Sequence, residues 1–281
     1  VTSTINCNGQ LIDLSVPKIM GILNTTPDSF FDGGKYTQDS EVLRHVETML
    51  EEGADFIDLG AYSSRPGAEE VSVDEELKRS VPVTELILKN FPGALVSIDT
   101  FRTDVAKANI EAGACMVNDI SGGMLDENML SVVGELQVPY ILMHMKGNPK
   151  SMQQKTTYDD FIKDLLYYFS ERVAAAKAHK INDIIVDPGF GFAKTLEQNY
   201  ELMGKLELLH ILELPILIGV SRKSMIYKLF ETNAEQALNG TTSLNTIALG
   251  KGARILRVHD VKEAVECVKI YEMTTKKVKE L

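Results

Sequence analysis

A chain of 281 residues with a formal net charge of -11 and a pI near 5.0 can build one large core, and its acidity opposes nonspecific attraction to nucleic acid or to an acidic membrane. Its three cysteines, Cys7, Cys115 and Cys267, show neither CxxC nor metal-ligand spacing, which argues against a disulfide framework and suits a reducing compartment. No basic-then-apolar leader opens the sequence and no apolar run reaches about 18 residues, so the expectation is a soluble, cytoplasmic chain.

The segment before residue 18 is expected to form a short hairpin plugging the bottom of a barrel. "KIMGIL" (18–23) reads as the first barrel strand. "SEVLRHVETMLEEGAD" (40–55) reads as a helix, with Val42, Val46, Met49 and Leu50 on one face and Gly53 as its C-terminal cap. "DFIDLG" (55–60) is the second strand, and "DEELKRSVPVTELILKN" (74–90) a helix capped by Asp74 and kinked or split at Pro82. "ALVSID" (94–99), the helix "RTDVAKANIEAGA" (102–114) and the strand "CMVNDI" (115–120) follow. The next element assigned is again a strand, "PYILMH" (139–144), then an amphipathic helix over 158–179. "DIIVDP" (183–188), "PILIGV" (215–220) and "RILRVH" (254–259) complete the strands, with helices over 196–210, 222–230, 234–250 and 261–275.

The strand candidates are continuous apolar runs, as in parallel strands buried on both faces. Strand and helix in eight units fit a (β/α)8 barrel, which takes about 250 residues. An open doubly wound sheet usually has fewer strands and a GxGxxG after an early one. No such motif occurs, and "GFGFAKT" (189–195) stops short of it and of a P-loop. The expectation is an α/β chain forming a single (β/α)8 TIM barrel domain over 1–281, with the hairpin-like segment at its N-terminus.

Polar residues cluster at the carboxyl ends of these strands, where barrel active sites form. They are Asn24, Asp99, Asn118 with Asp119, His144, Asp187, then Ser221 to Lys223, and Arg257 with His259. Each has a plain reading. Asn24 could cap a turn, Asp99 and Asp187 could cap helices, and Asn118 could tie down backbone. Lys223 and Arg257 could be rim charges, and His259 a helix-start residue. His45, His179 and His210 fall in helical stretches and read as ordinary. The coincidence at one end of eight units favours a site.

Two carboxylates and an amide suit the edge of a flat, nitrogen-rich heterocycle. Arg257, His259 and Asn24 suit an anion, with Arg257 offering a planar fork to phosphate oxygens and Lys223 a point charge. No His, Cys and Asp grouping has transition-metal spacing, whereas magnesium can ride on substrate phosphates with one or two protein oxygens.

The segments "GILNTTPDSFFDGG" (21–34), "SSRPGA" (63–68), "SIDT" (97–100), "NDISGG" (118–123), "LMHMKGNP" (142–149), "DPGFGFAKT" (187–195), "GVSRKS" (219–224) and "RVHD" (257–260) together resemble dihydropteroate synthase, the folate-pathway enzyme inhibited by sulfonamides. The resemblance runs from about residue 5 to about residue 275. It implies a homodimeric (β/α)8 barrel. It also implies the magnesium-assisted joining of 7,8-dihydropterin-6-ylmethyl diphosphate to 4-aminobenzoate, giving 7,8-dihydropteroate and diphosphate. On this resemblance Asp99, Asn118, Asp187 and Lys223, with Met143 and Arg257, are the pterin set. Asn24, Arg257 and His259 are the diphosphate set, with Asn24 the metal ligand. Phe30, Asp32, Ser64, Arg65, Pro66, Gly67, Phe190, Lys223 and Ser224 are the 4-aminobenzoate side. Asp99, Asp187, Lys223 and Arg257 carry the chemistry, and loops 24–36 and 62–71 match the family's substrate loops.

The chain departs from the family pattern at Ala61, Tyr62 and Ser64, at Phe31, at Phe101 and Arg102, and at Ala193. These positions bear on the shape of the 4-aminobenzoate pocket and hence on sulfonamide affinity. A pterin-binding methyltransferase barrel has a similar fold and pterin set, but "SSRPGA", Lys223 and "RVHD" speak against it because a methyl donor carries no diphosphate. A silent pterin- or protein-binding barrel is the other alternative, opposed by the full set of charged residues.

Overall fold

The computed structural model describes residues 4–25, 35–62 and 71–275. The expected N-terminal hairpin is present: β1 (Thr4–Cys7) pairs antiparallel with β2 (Gln10–Asp13). It is tied to the barrel by the Asn6 N–H donating to Asp183 Oδ2 at 2.8 Å and by Asn8 Nδ2 donating to the Gly113 carbonyl at 3.0 Å.

Eight parallel strands then close on themselves, and they fall where the apolar runs place them. They are β3 (Lys18–Asn24), β4 (Phe56–Gly60), β5 (Val96–Asp99), β6 (Met116–Asp119), β7 (Tyr140–Met143), β8 (Ile184–Asp187), β9 (Ile216–Ile218) and β10 (Ala253–Val258). Neighbours in sequence are neighbours in the sheet, and β10 returns to pair with β3. The architecture is the expected (β/α)8 barrel.

The helices are α1 (Lys35–Glu52), α2 (Val73–Asn90), α3 (Thr103–Glu111), α4 (Met129–Leu136), α5 (Phe161–Ala178), α6 (Leu196–Gly204), α7 (Ser224–Leu229), α8 (Leu238–Gly250) and α9 (Val261–Thr275). Helix α1 ends as expected at Gly53, whose φ of +104° lets Ala54 N reach Met49 O at 2.9 Å and Gly53 N reach Leu50 O at 3.1 Å.

Four expectations need correction. Helix α4 was not assigned from the sequence, because a short, largely apolar stretch displays little periodicity. It holds Gly134 where a side chain would lie 1.9 Å from the His179 carbonyl, and it ends at Gln137, at a φ of +53°. The cap of α2 is Ser72, whose Oγ accepts from Glu75 N at 3.2 Å, so Asp74 lies in the first turn instead. Pro82 does not split α2, which runs unbroken through it. The stretch 196–210 divides into α6 and a 3-10 segment, Leu206–Leu212, and 234–250 divides into a 3-10 turn, Ala234–Gln236, and α8.

Alternation along the strands sorts their residues into two cores. Ile19, Leu23, Ile57, Leu59, Val96, Ile98, Val117, Leu142, Val186, Ile218, Leu256 and Val258 join the shell packed on the helices. Met20, Phe56, Met116, Ile141, Ile185, Leu217 and Ile255 form an inner cluster with Ile5, Cys7, Ile12 and Leu14 of the hairpin segment. Two residues on from members of that inner cluster stand Asp58, Asn118, Met143, Asp187, Gly219 and Arg257. The barrel interior is therefore apolar where the hairpin fills it and polar at the carboxyl ends of the strands.

Candidate active site

Strand register aligns the mouth. Asn24 pairs with Gly60, Gly60 with Asp99, and Asp99 with Asn118, so four adjacent strands present these positions at one height. Gly60 suits the row because a side chain there would meet Asn24 Oδ1 at 3.2 Å and Asp99 Oδ2 at 3.7 Å. Two positions below Gly60 lies Asp58, fully buried.

Arg257 reaches this row from β10. Its Nε donates to Asp58 Oδ2 at 2.6 Å and its Nη2 to Asp99 Oδ2 at 2.7 Å. Asn118 Nδ2 donates to the same Asp58 oxygen at 2.9 Å. Asp58 Oδ1, also buried, has no hydrogen-bond partner among the described residues. Burial pushes the Asp99 carboxyl up to about 7; the Arg257 cation opposes this, and the Asp58 charge adds to it. Burial acts to lower Arg257, but the Asp58 and Asp99 carboxylates outweigh it and raise the guanidinium above its ordinary value. Arg257 was expected as an open anion fork, yet two of its nitrogens are held by carboxylates in this structure.

Across the barrel, Asp187 ends β8 in register with Met143 and accepts from Gly189 N at 2.7 Å through Oδ1. Burial raises its carboxyl, opposed first by the Lys223 charge and then by the Gly189 N–H. Lys223 follows β9, donates to the Phe190 carbonyl at 2.5 Å and lies 4.8 Å from the centre of the Phe192 ring. Burial brings its ammonium down to about 8 against the pull of Asp187. Neither carboxylate caps a helix: the residue capping α3 is Arg102, and α6 begins with a capping box built on Thr195.

Several further candidates are held by partners within the protein or enclosed by it. Asp119, next to Asn118, points the opposite way by strand alternation and accepts from the Tyr140 hydroxyl at 2.6 Å, from Ser121 and from the Gly123 N–H at 2.7 Å. Arg222 grips both oxygens of Asp260, at 2.8 and 2.7 Å. His144 is buried with its Nδ1 3.0 Å from Lys194 Nζ. His259 is exposed, with Nδ1 3.0 Å from Ser221 Oγ. The Phe190 side chain is fully enclosed. Ser224 opens α7 directly after Lys223 and is half-buried. Phe30, Asp32, Ser64, Arg65, Pro66 and Gly67 lie outside the described residues.

Asp58 was missed from sequence. Its signal was an acid inside a strand buried on both faces, at even spacing from the strand's last residue; such a charge stays buried when a cation meets it. A second missed group sits at the root of the 62–71 segment. Glu76 accepts from Thr100 Oγ1 at 2.8 Å and from Arg102 at 2.7 Å, and the Arg102 guanidinium lies 5.2 and 5.4 Å from the Tyr62 and Phe101 ring centres. Tyr62 and Phe101 meet edge to face at 5.1 Å, so three of the departures from the family pattern pack on one another.

Among the described residues no three His, Cys, Asp or Glu side chains gather as a metal cage, and no helix is long and apolar enough to cross a membrane. A closed parallel barrel whose strand ends pair carboxylates and an amide with half-buried cations is the framework of a barrel enzyme acting on a polar small molecule. Residues 20–259 match the family model described as pterin binding enzyme. The chain is 43% identical over 268 residues to the dihydropteroate synthase of Escherichia coli (strain K12), covering 95% of this chain and 94% of that one. It superposes on the Yersinia pestis dihydropteroate synthase, solved with a sulfonamide drug, with a TM-score of 0.91 at 42% identity, covering 98% of this chain and all of that one. The Xanthomonas albilineans dihydropteroate synthase, solved with 4-aminobenzoic acid, gives a TM-score of 0.91 at 36% identity, covering 99% of this chain and all of that one. The chain belongs to the dihydropteroate synthase family of pterin-binding barrel enzymes.

Proposed function

We propose that this chain, as one barrel domain, joins 7,8-dihydropterin-6-ylmethyl diphosphate to 4-aminobenzoate, releasing diphosphate and forming 7,8-dihydropteroate. The observation that carries the reading is the Arg257 bridge between Asp58 and Asp99, with Asn118 on Asp58 and Asp187 beside Lys223 across the mouth. That arrangement supplies carboxylates and an amide to ring N–H groups, and cations to a leaving anion.

The bond broken joins the methylene carbon to the diphosphate oxygen; the bond formed joins that carbon to the amine nitrogen, whose proton leaves to solvent. An aromatic amine is a weak nucleophile, so departure of diphosphate runs ahead of attack. Asp187, Asp99 and Asn118 hold the pterin as positive charge spreads into its ring. Arg257, Lys223 and His259 face the charge growing on the leaving oxygens; such oriented donors act strongly in a partly dry site. Met143 packs against the pterin, and Phe190 and Ser224 border the amine's binding side together with Phe30, Asp32 and residues 64–67. Magnesium fits the donor set as a substrate-borne ion: Asn24 offers a hard oxygen in the mouth row, and the rest of its shell would come from phosphates and water. When bound, it would neutralise charge on the diphosphate. Sulfonamides would compete for the 4-aminobenzoate position, and the active form would be a homodimer.

The test is incubation of the purified protein with the pterin diphosphate, labelled 4-aminobenzoate and magnesium, followed by a search for labelled dihydropteroate. Product is expected, Asp187→Asn is expected to abolish most of it, and Arg257→Ala to lose about 3 kcal/mol of transition-state stabilisation. Absence of labelled product, or full turnover by Asp187→Asn, defeats the reading.

A further inference from the structure

Lys194 lies in the "GFGFAKT" stretch and has no part in the reaction above. It is 5% exposed, and its ammonium has three acceptors for its three hydrogens: Gly189 O at 2.9 Å, Phe192 O at 3.0 Å and His144 Nδ1 at 3.0 Å. Gly189, whose carbonyl it holds, donates its own N–H to Asp187 Oδ1 at 2.7 Å. That residue has little room elsewhere. Gly189 has a φ of +71°, and a side chain on it would stand 2.1 Å from the His144 carbonyl. His144 is fixed in turn, its backbone N–H on the Asp187 carbonyl at 2.9 Å and its ring edge-on to Tyr168 at 4.7 Å.

We propose that Lys194 is a positioning residue for the pterin-binding carboxylate Asp187, aiming it through the backbone of Gly189 and keeping it ionised by a charge sequestered from the substrate. The inference rests on the assignment of Asp187 to the pterin.

A loop needing only packing would be served by an apolar side chain, and burying an ammonium is costly without a compensating anion. Among the described residues Asp187 is faced by three cations, Lys223 from the start of α7, Arg257 from β10 and Lys194, and all three favour its ionised form. Lys223 and Arg257 belong to the mouth, where an incoming diphosphate competes for them. Lys194 has its hydrogens committed to protein acceptors. Around Lys194 itself, burial and Lys223 bring its ammonium down to about 7, while Asp187 holds it up. Burial, then the Lys194 and Lys146 charges, hold His144 well below its ordinary value, so its ring is neutral and Nδ1 can accept.

The experiment measures binding of 6-hydroxymethylpterin, a probe without diphosphate, to the full-length protein by calorimetry between pH 4.5 and 7. Wild type, Lys194→Met, Lys194→Gln, Lys194→Arg and Asp187→Asn are compared. In wild type affinity falls on the acid side as Asp99 and Asp187 take protons, and the Asp187 limb is the one absent from Asp187→Asn. In Lys194→Met and Lys194→Gln that acid limb moves up by about one pH unit, and in Lys194→Arg it stays with wild type. Lys194→Gln keeps an N–H donor for the loop, so it reads the charge even where the methionine variant fails to fold. An acid limb unmoved in the folded uncharged variants overturns the inference. Asp187→Asn that binds the pterin as wild type does defeats the assignment of Asp187 itself, a separate failure.

Discussion

Replacing Asp58 by Asn removes one charge from the mouth and leaves an oxygen able to accept from Arg257. The contact between Arg257 Nε and Asp58 Oδ2 is 2.6 Å. With charge centres about 4 Å apart, the lost attraction is about 4 kcal/mol at an effective dielectric of about 20. Asp58 and Asp99 accept from two nitrogens of one guanidinium, which sets the carboxylates about 5.5 Å apart and their mutual repulsion at about 3 kcal/mol. At pH 8 the wild type has both charges, so the substitution loses the attraction and relieves the repulsion, a net loss of about 1 kcal/mol. Asp99 has its carboxyl pushed up to about 7, above its unfolded value. The native state therefore binds a proton before the unfolded chain does, and wild type gains stability from this group as the pH falls from 7 toward 4. Without Asp58, Asp99 stays ionised to lower pH, and the part of that gain due to the Asp58 charge, up to about 3 kcal/mol, disappears. The penalty then climbs toward about 4 kcal/mol near pH 5. Desolvation that Asn avoids is the same at both pH values, so the difference of about 3 kcal/mol survives whatever its size. Urea unfolding of both proteins at pH 5 and pH 8 reads it directly. A difference below about 1 kcal/mol, or a penalty larger at pH 8, refutes the shared-guanidinium reasoning.

Tyr140→Phe leaves the buried Asp119 without a 2.6 Å donor and should destabilise by about 1–3 kcal/mol in the same unfolding assay; an unchanged midpoint would show Asp119 satisfied by Ser121 and Gly123. Gly189→Ala combines a left-handed φ of +71° with a 2.1 Å clash on the His144 carbonyl, and should cost more than about 1 kcal/mol; a fully stable variant would mean the 187–191 turn has freedom to move. With its ammonium near 8, Lys223 loses its charge above that pH, so kcat/KM should fall on the alkaline side, and Lys223→Arg should carry the fall to higher pH; identical profiles would remove the Lys223 charge from the reaction.

Strand positions were legible because a parallel strand buried on both faces must be apolar throughout, and a short stop between such runs is hard to mistake. Helix α4 was not, since its eight residues are too few and too apolar to display a face. At the mouth, sequence grouped Asn118 with Asp119 by adjacency. Strand alternation separates them, Asn118 going to Asp58 and Asp119 to Tyr140, and counting parity from the strand ends would have drawn the distinction. The same count would have found Asp58, two before Gly60. No parity rule finds Lys194, because its importance lies in the backbone of a loop residue, Gly189, whose orientation depends on the His144 carbonyl just after β7.

The division of the barrel interior explains how this site tolerates so many buried charges. Successive inward positions on a strand are about 6.6 Å apart, so the hairpin-filled apolar layer and the charged layer are one pleat step from each other. Packing of Ile5, Cys7, Ile12 and Leu14 against the lower residues stabilises closure without help from the mouth. The upper layer can then hold carboxylates away from their ordinary ionisation, a condition that works against the fold but suits ligand binding. Asp58 joins the two demands. It stands one step above Phe56, fully enclosed, yet its partner Arg257 also holds Asp99. A change at Asp58 is therefore felt in folding and in the Asp99 proton equilibrium together, whereas a change at Asp187, faced by Lys223, Arg257 and Lys194, should show first in ligand affinity.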